Sequence, residues 1–470
     1  MYESPPHLRQ DPAVPDCEQE PQFAAVPARA HWRYKPRRSF WRKKAVRAGA
    51  VITLLALCAL MILAIVRDQT GTQGFLVGLG LAVLPVPLLI TAFRWLDRVE
   101  PGPWRNLFFA FAWGAFAAAL VAIIANSFAT RWIATATADP AGADTIGATV
   151  IAPVVEESAK AAALLLIFLF RRRDFNGIVD GVVVAGFTAT GFAFTENILY
   201  LGNAFGQDQE MGASGFASVT AATFFVRIVM SPFAHPLFTV LTGIGFGLAA
   251  LAPPRWGRVR RIALPLLGLA FAMGMHALWN GSGAFGEYGF YAVYAMFMVP
   301  AFALLTWLAV WTRQRELRTI SAALPAYAEA GWLAPHEPLA LSSMRARTLA
   351  RDAAARAHGG RAAARTVAEY EAFATSLAFL RHRARRGTVG PDFAAREQEL
   401  LHHLWQRKAV AGPALEYAAR TTGRLWTPPP GPPFHPVPPY HHPVPPQRPA
   451  PSPGYAPHQD YATYNPYRQQ

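Results

Sequence analysis

Polar side chains that can bind metal or move protons lie inside otherwise apolar stretches of this sequence. Ionisable groups are costly inside a membrane span and usually mark a functional site. Zinc takes imidazole nitrogens and carboxylate oxygens, and a catalytic zinc site keeps one position for water. Two histidines and one glutamate therefore form a candidate zinc set, and metal coordination lowers the pKa of a bound water toward neutrality. The residues concerned are Glu156, Glu157, Lys160, Glu196, His235, His276 and Asn280.

Helical spacing predicts how some of these groups work together. Lys160 follows Glu156 by four residues on the same helix face, so its charge would hold that carboxylate ionised. Asn280 follows His276 by one turn, so its amide could donate to a developing oxyanion. A second carboxylate could take the proton of the water. Glu156 and Glu157 point about 100° apart, so only one faces the site centre, and the sequence leaves open which.

Each group also has a structural interpretation. Carboxylates favour helix N-termini, which would account for Glu156 and Glu157 without chemistry. Lys160 could simply pair with a neighbouring glutamate, His235 could cap a helix broken by proline, and Asn280 could end a helix. The functional interpretation is favoured because four separate segments carry carboxylates or imidazoles at one predicted depth.

The composition predicts that membrane helices position these residues. The chain has 470 residues, of which 53% are apolar and 16% are charged, against about 25% charged in a soluble domain. A helix crosses a bilayer with about 20 apolar residues, and its backbone groups must be satisfied internally. We predict an all-α fold, a polytopic transmembrane helical bundle with eight spans. They cover 46–66, 74–93, 106–128, 149–170, 177–201, 218–251, 262–281 and 288–311.

Arginine-rich loops predict the orientation of the bundle, because positive loops stay on the cytoplasmic side. The loops after spans two, four, six and eight carry the positive charge, and the intervening loops carry little. With eight spans, both termini are then cytoplasmic. In this topology Glu156, Glu196, His235 and His276 all lie in the outer third of the membrane. A substrate would be cut near the outer face.

The sixth span is too long for one bilayer crossing. Pro232 and Pro236 interrupt it, and proline is tolerated best in the first turn of a helix. We therefore predict a membrane helix from roughly 232 to 251. The segment before it contains Arg227, which is expected to be interfacial or to pair with a carboxylate.

The regions on either side of the bundle are predicted to be cytoplasmic extensions. Residues 1–45 are interpreted as a disordered tail, 46–312 as the transmembrane bundle, 313–426 as a cytoplasmic helical region and 427–470 as a Pro-rich disordered tail. The net charge of +15 does not indicate nucleic-acid binding, because the arginines flank apolar spans. Cys17 and Cys58 lie in unlike surroundings, which argues against a structural disulfide.

The order and spacing of the polar motifs resemble the PrsW family of bacterial membrane proteases, which is related to the CAAX prenyl endopeptidases and the Abi family. The motifs are Glu-Glu-x-x-Lys at 156–160, Phe-x-x-x-Glu-Asn at 192–197, His235, and His-x-x-x-Asn at 276–280. The resemblance covers about residues 75–311. It implies an intramembrane metalloendopeptidase of the bacterial plasma membrane.

The resemblance also implies roles for the site residues. Glu156 and Glu157 would supply the catalytic carboxylate, with support from Lys160 and Asn280. The metal-ligand candidates, with zinc as the expected metal, would be Glu196, His235 and His276. The substrate would be a membrane protein, and the family's first association is with cleavage of an anti-sigma factor.

Two other functions fit parts of the sequence. Intramembrane carboxylates and histidines also make proton or ion sites in transporters and channels, and discontinuous helices are common there. A noncatalytic scaffold is the second alternative, with the Pro-rich tail binding a cytoplasmic partner, since such tails dock in aromatic grooves. The gathering of polar groups near one face, with no inverted repeat in the sequence, favours the protease.

Overall fold

The fold is that of a multi-pass helical membrane protein. A computed structural model describes residues 41–171, 175, 177–252, 257–286, 288–357, 359–387, 389 and 392–424. Helices account for 88% of the structure, and none of these residues lies in a strand. Six helical stretches are long and apolar enough to cross a membrane. They are Ala48–Leu96, Trp104–Thr137, Ile178–Met211, Val219–Leu251, Gly257–Phe285 and Gly289–Glu329.

The first of these stretches is not one straight rod. Helix α1 (Trp41–Ala82) is kinked at Gly71, whose φ of 68° and ψ of 166° are open to glycine but strained for other residues. Helix α2 (Val86–Leu96) begins after a short turn with Pro85 as its N-cap. The kink falls between the predicted spans 46–66 and 74–93.

The next helices lead to α6, which carries the Glu-Glu-x-x-Lys motif. Helix α3 (Trp104–Ala112) continues through a π-helical turn, Trp113–Ala118, into α4 (Ala119–Thr137). Helix α5 (Pro140–Ile146) then leads through a second π-helical turn, Gly147–Ile151, into α6 (Ala152–Phe170). Helix α6 carries three charged side chains and is not among the six apolar stretches. The number of eight spans therefore stays a prediction.

Helix α7 (Ile178–Met211) is the most buried of the six apolar stretches. Small residues let other backbones approach it closely, as is common between membrane helices. A Cβ atom added to Gly181 would lie 2.0 Å from the carbonyl oxygen of Gly243 on helix α9 (Ala234–Leu251). Helices α7 and α9 therefore pack closely at Gly181 and Gly243.

The sixth predicted span is divided as its prolines predicted. Helix α8 (Val219–Phe224) continues into a third π-helical turn, Phe225–Met230, and α9 begins at Ala234. The remaining membrane helices are α10 (Gly257–Asn280), α11 (Gly289–Val293) and α12 (Val299–Ala323), with a fourth π-helical turn at Tyr294–Met298.

A second compact unit lies within residues 318–385 and 389–424, separate from the unit of residues 41–317. Its helices are α13 (Pro325–Glu329), α14 (Glu337–Leu341), α15 (Met344–Arg356), α16 (Gly360–Arg385) and α17 (Phe393–Thr421). Buried ion pairs supplement its apolar core: Arg381 lies 3.5 Å from Glu397, and Lys408 pairs with Glu337.

Two sequence-based predictions fall largely outside the described residues. The tail predicted at 1–45 is described only from Trp41, where α1 begins, and the Pro-rich tail at 427–470 is not described at all. Cys58 is a free cysteine, and Cys17 lies outside the described residues.

Candidate active site

The first motif lies near the start of α6. Pro153 occupies the first turn of this helix, where its missing N–H and fixed φ cost little. Glu156, Glu157 and Lys160 follow within the next two turns, and all three are buried. The short π-helical turn before Ala152 changes the helical phase by about one residue, which affects the direction in which these side chains point.

Glu157 is fully enclosed by polar partners. Its Oε1 atom lies 2.8 Å from Lys160 Nζ and 3.2 Å from His276 Nδ1, and its Oε2 atom accepts from Thr239 Oγ1 at 2.8 Å. The side chain is 0% exposed. A buried carboxylate with three such partners is well suited to orient an imidazole, and it has no route to a substrate.

Glu156 lies on the cavity side of the same helix. Its Oε2 atom is 3.5 Å from Lys160 Nζ and 3.9 Å from His276 Nε2. Both ring nitrogens of His276 therefore face a carboxylate, Nδ1 that of Glu157 and Nε2 that of Glu156. The His276 ring also stacks on Phe238 with centroids 4.8 Å apart, which limits its rotation.

His235 connects the first motif to the second. Its Nδ1 atom lies 3.1 Å from Lys160 Nζ, and its Nε2 atom lies 2.5 Å from Glu196 Oε2. Glu196 also accepts from Arg227 at 2.6 Å. The expected role of Arg227 as a carboxylate partner is confirmed. Glu196 is thus held between a cation and an imidazole.

Three candidate ligand residues converge in one small region. One donor atom each from Glu156, His235 and His276 lies within 4.8 Å of the others. A cavity of about 420 Å³ opens beside them and is lined by Glu196, Asn197, Tyr200 and Arg227, among others. The predicted meeting of acidic and imidazole groups from four helices around one cavity is what the structure shows.

The donor set fits a divalent metal. Two imidazoles and a carboxylate match the nitrogen and oxygen ligands of zinc hydrolases, and each imidazole already has a carboxylate partner of the kind that orients metal-bound histidines. Glu196, predicted as a ligand, lies against His235 and Arg227 and is not in the group of three. Glu156, predicted as the catalytic carboxylate, is in that group.

Asn280 lies at the end of α10, one turn after His276, and lines the cavity. Its Nδ2 atom donates to the carbonyl oxygen of Ala148 at 2.9 Å. A side-chain amide has two N–H donors, so this bond leaves one for another acceptor.

Sequence reasoning missed Thr239 and Tyr200, which support the site. Thr239 binds Glu157, and it lies four residues after His235, on the same helix face. Asn197 accepts from Arg227 Nε at 2.9 Å, and the Arg227 guanidinium lies 3.8 Å from the ring of Tyr200. The helical spacing of Thr239 was a usable signal, whereas the Tyr200 contact depends on packing between helices.

Residues 102–305 match the model of the PrsW family of intramembrane metalloproteases. This match covers less than half of the chain, and it makes the segment similar to PrsW proteases. It includes every site residue described above, so the predicted resemblance is confirmed across the site. Comparison with curated proteins and with solved structures finds no match for the chain.

The match to the PrsW family favours the protease among the functions left open by the sequence. The segment is a membrane metalloprotease, and therefore a hydrolase that acts on membrane proteins and works within lipid. The match supports the protease over the transporter, and the Pro-rich tail on which the scaffold alternative depends lies outside the matched residues. The PrsW segment ends at residue 305, so the family match does not extend to the second compact unit.

Proposed function

We propose that Glu156, His235 and His276 hold the metal ion of an intramembrane endopeptidase. The observation that carries this proposal is the approach of their donor atoms to within 4.8 Å of one another. Zinc is the metal that best suits two imidazoles and a carboxylate. When bound, it would supply a Lewis acid and make a water nucleophilic at neutral pH.

Glu157 and Glu196 act in this proposal on the two imidazoles. Glu157 fixes His276 through Nδ1 and directs Nε2 of that ring toward Glu156. Glu196 fixes His235 through Nε2 and is itself fixed by Arg227. This assignment differs from the sequence-based one, in which Glu196 was a ligand, because Arg227 and His235 already engage the same Glu196 oxygen.

Glu156 is the carboxylate of the pair that faces the substrate. It lines the cavity, whereas Glu157 is 0% exposed. Asn280 donates its second amide hydrogen to the oxyanion that develops on the scissile carbonyl. Lys160 balances the negative charge of the two neighbouring carboxylates, since its Nζ atom contacts both.

The substrate in this proposal is a membrane protein cut near the outer face of a bacterial plasma membrane. In the predicted topology the start of α9, with His235, and the end of α10, with His276, lie at one membrane surface, which supports this part of the proposal. The bias of arginines toward the opposite loops makes this the outer surface and leaves both termini cytoplasmic. An anti-sigma factor is the proposed substrate type, and the Pro-rich tail is proposed to bind a cytoplasmic partner.

Metal content tests the ligand assignment. The full-length chain is purified, and zinc is counted per chain by mass spectrometry for the wild type and for Glu156→Gln, His276→Ala and Glu196→Gln. We expect about one zinc per chain in the wild type and almost none in Glu156→Gln or His276→Ala. We expect Glu196→Gln to keep metal with lower affinity. Glu210→Gln, at an exposed position of α7, is the matched control.

The same variants test the reaction. Fragments of membrane proteins are compared between cells that produce the wild type and cells that produce Glu156→Gln. We expect cleaved ends in external juxtamembrane stretches only with the wild type. Full zinc content in Glu156→Gln together with its loss in Glu196→Gln would contradict our ligand assignment and support the sequence-based one. Cleavage that persists in Glu156→Gln would overturn the proposed role of this carboxylate.

A further inference from the structure

A second cavity lies on the membrane-facing side of the bundle, away from the polar site. It is a groove of about 580 Å³ between α1 and α4, and we call it the α1–α4 groove. Its volume is typical of small-molecule sites. It exceeds the cavity at the active site, and no site residue lines it.

The groove has an apolar floor and rim. Ile65 and Ile123 form part of its floor, since both pack against the buried core between these helices. Ile124 and Phe128 form its edge and are 48% and 71% exposed. On membrane-spanning helices, exposed apolar side chains of this kind contact the hydrocarbon chains of lipids, because lipid is the solvent there.

One end of the groove is polar and positively charged. Arg131 lines it together with Gln69 and Trp132. The Arg131 side chain is exposed and has no carboxylate within 4 Å among the residues that the structure describes. Trp132 is 65% exposed, as expected for an aromatic residue at the membrane–water boundary. The charged end therefore lies at headgroup level.

We propose that the α1–α4 groove binds one anionic phospholipid. Its acyl chains would lie along the isoleucines of the floor, and its phosphate would pair with Arg131. Arginine binds phosphate through a planar fork of N–H donors, which gives these contacts both strength and direction. The occupant must combine hydrocarbon with a negative head, because the groove is apolar along its length and cationic at one end.

The position of the groove relates it to the enzyme. Helix α4 separates the two cavities, with Ile123 and Ser127 lining the groove and Asn126 lining the active-site cavity. A lipid in the groove would therefore contact α4, the helix that also lines the active-site cavity. This binding site does not depend on the proposed metal ligands.

Native mass spectrometry tests the proposal with defined lipids. The full-length chain is stripped of lipid in uncharged detergent and then mixed with phosphatidylglycerol or with phosphatidylcholine. We expect the wild type to bind one phosphatidylglycerol in preference to phosphatidylcholine. Arg131→Gln should bind phosphatidylglycerol about fivefold more weakly, with no change for phosphatidylcholine.

Two further variants complete the test. Arg67→Gln is the matched control: this arginine lies on the same helix as Gln69 but outside the groove, and its guanidinium contacts Thr72 at 3.3 Å. It should bind like the wild type. Ile123→Trp fills the floor and should reduce binding of both lipids. Equal phosphatidylglycerol binding by the wild type and Arg131→Gln would overturn the proposal. So would a second protein chain in the groove, seen as a dimer that forms at the expense of lipid adducts.

Discussion

Each imidazole of the site has its own carboxylate partner, and five acidic or basic groups in all surround the two histidines. Glu157 contacts His276 and Glu196 contacts His235. A histidine whose ring is fixed in this way presents one nitrogen in a defined direction. Lys160 and Arg227 then offset the negative charge. Glu156 is the remaining carboxylate: it belongs to the group of three candidate ligands and lines the cavity.

Removing the charge of Glu157 should weaken metal binding without removing a ligand. We expect Glu157→Gln to lower zinc affinity by about 10- to 100-fold, because His276 loses the partner that orients it. The affinity is measured by competition with a zinc-binding dye. Glu210→Gln serves as the exposed control. An unchanged affinity in Glu157→Gln would show that His276 is oriented by its stacking on Phe238 alone.

The sequence predicted which polar residues lie close together, but it did not predict how their side chains are arranged around the cavity. Buried charges in apolar spans identified Glu156, Glu157, Lys160, His235 and His276. The choice between Glu156 and Glu157 depends on the rotation of α6 about its axis. That rotation follows from packing and from the π-helical turn before the helix, neither of which a single sequence reveals.

Three of the four π-helical turns border the catalytic cavity or hold the segments that do. One precedes α6, one contains Arg227, and the third spans Tyr294–Met298. Such turns are frequent at functional sites because the extra residue redirects the side chains around it. The turn at Tyr294–Met298 is hydrogen-bonded to the turn that contains Arg227, since Tyr294 Oη donates to the carbonyl oxygen of Met230 at 2.9 Å.

Removing this hydrogen bond should make the segment that carries Arg227 locally less stable. We expect Tyr294→Phe to lower the local stability of residues 225–230 by about 1 kcal/mol, the usual net contribution of one hydrogen bond. Hydrogen exchange measured by mass spectrometry would show this as faster exchange there. Tyr291→Phe, at an exposed neighbouring position, is the control. Equal exchange in the two variants would mean that the bond does not restrain the segment.

At the level of elements, the sequence predicted the break in span six because proline leaves a clear signal. It did not predict the π-helical turns, whose one-residue insertions leave no fixed pattern. The number of spans depends on α6, where the charged side chains lower the hydropathy that identifies a membrane helix. It also depends on whether Ala48–Leu96, which is kinked at Gly71, crosses the membrane once or twice.

The whole molecule consists of two compact units with different interiors. In the membrane unit, Glu156, Glu157 and Lys160 are buried beside one cavity. The unit within residues 318–424 distributes its charges among the helices, and Glu371 on α16 is one example, 3.6 Å from Arg351. Burial raises the pKa of the Glu371 carboxyl to about 7, although Arg351 and Arg347 lower it.

This raised pKa predicts a pH-dependent stability for the second unit. The folded unit binds the Glu371 proton more tightly than the unfolded chain does. The free energy of unfolding should therefore be greatest below about pH 4.5 and fall by about 3 kcal/mol as the pH rises through 7. Hydrogen exchange of α15 and α16 in the full-length chain, corrected for intrinsic rates, measures this change. Glu371→Gln should remove most of the pH dependence, whereas Glu369→Gln, which is more exposed, should leave it intact.

The charges of α6 also bear on how the chain enters the lipid in the first place. A lone helix with three charged side chains near its start would meet a cost of roughly 2.5–3.5 kcal/mol for each one placed at the bilayer centre. Its partners Thr239 and His276 are synthesised about 80 and 120 residues later. Within the nascent α6, Lys160 can pair only with Glu156 and Glu157. We therefore expect the polar cluster to be completed late in synthesis, once α9 and α10 have emerged.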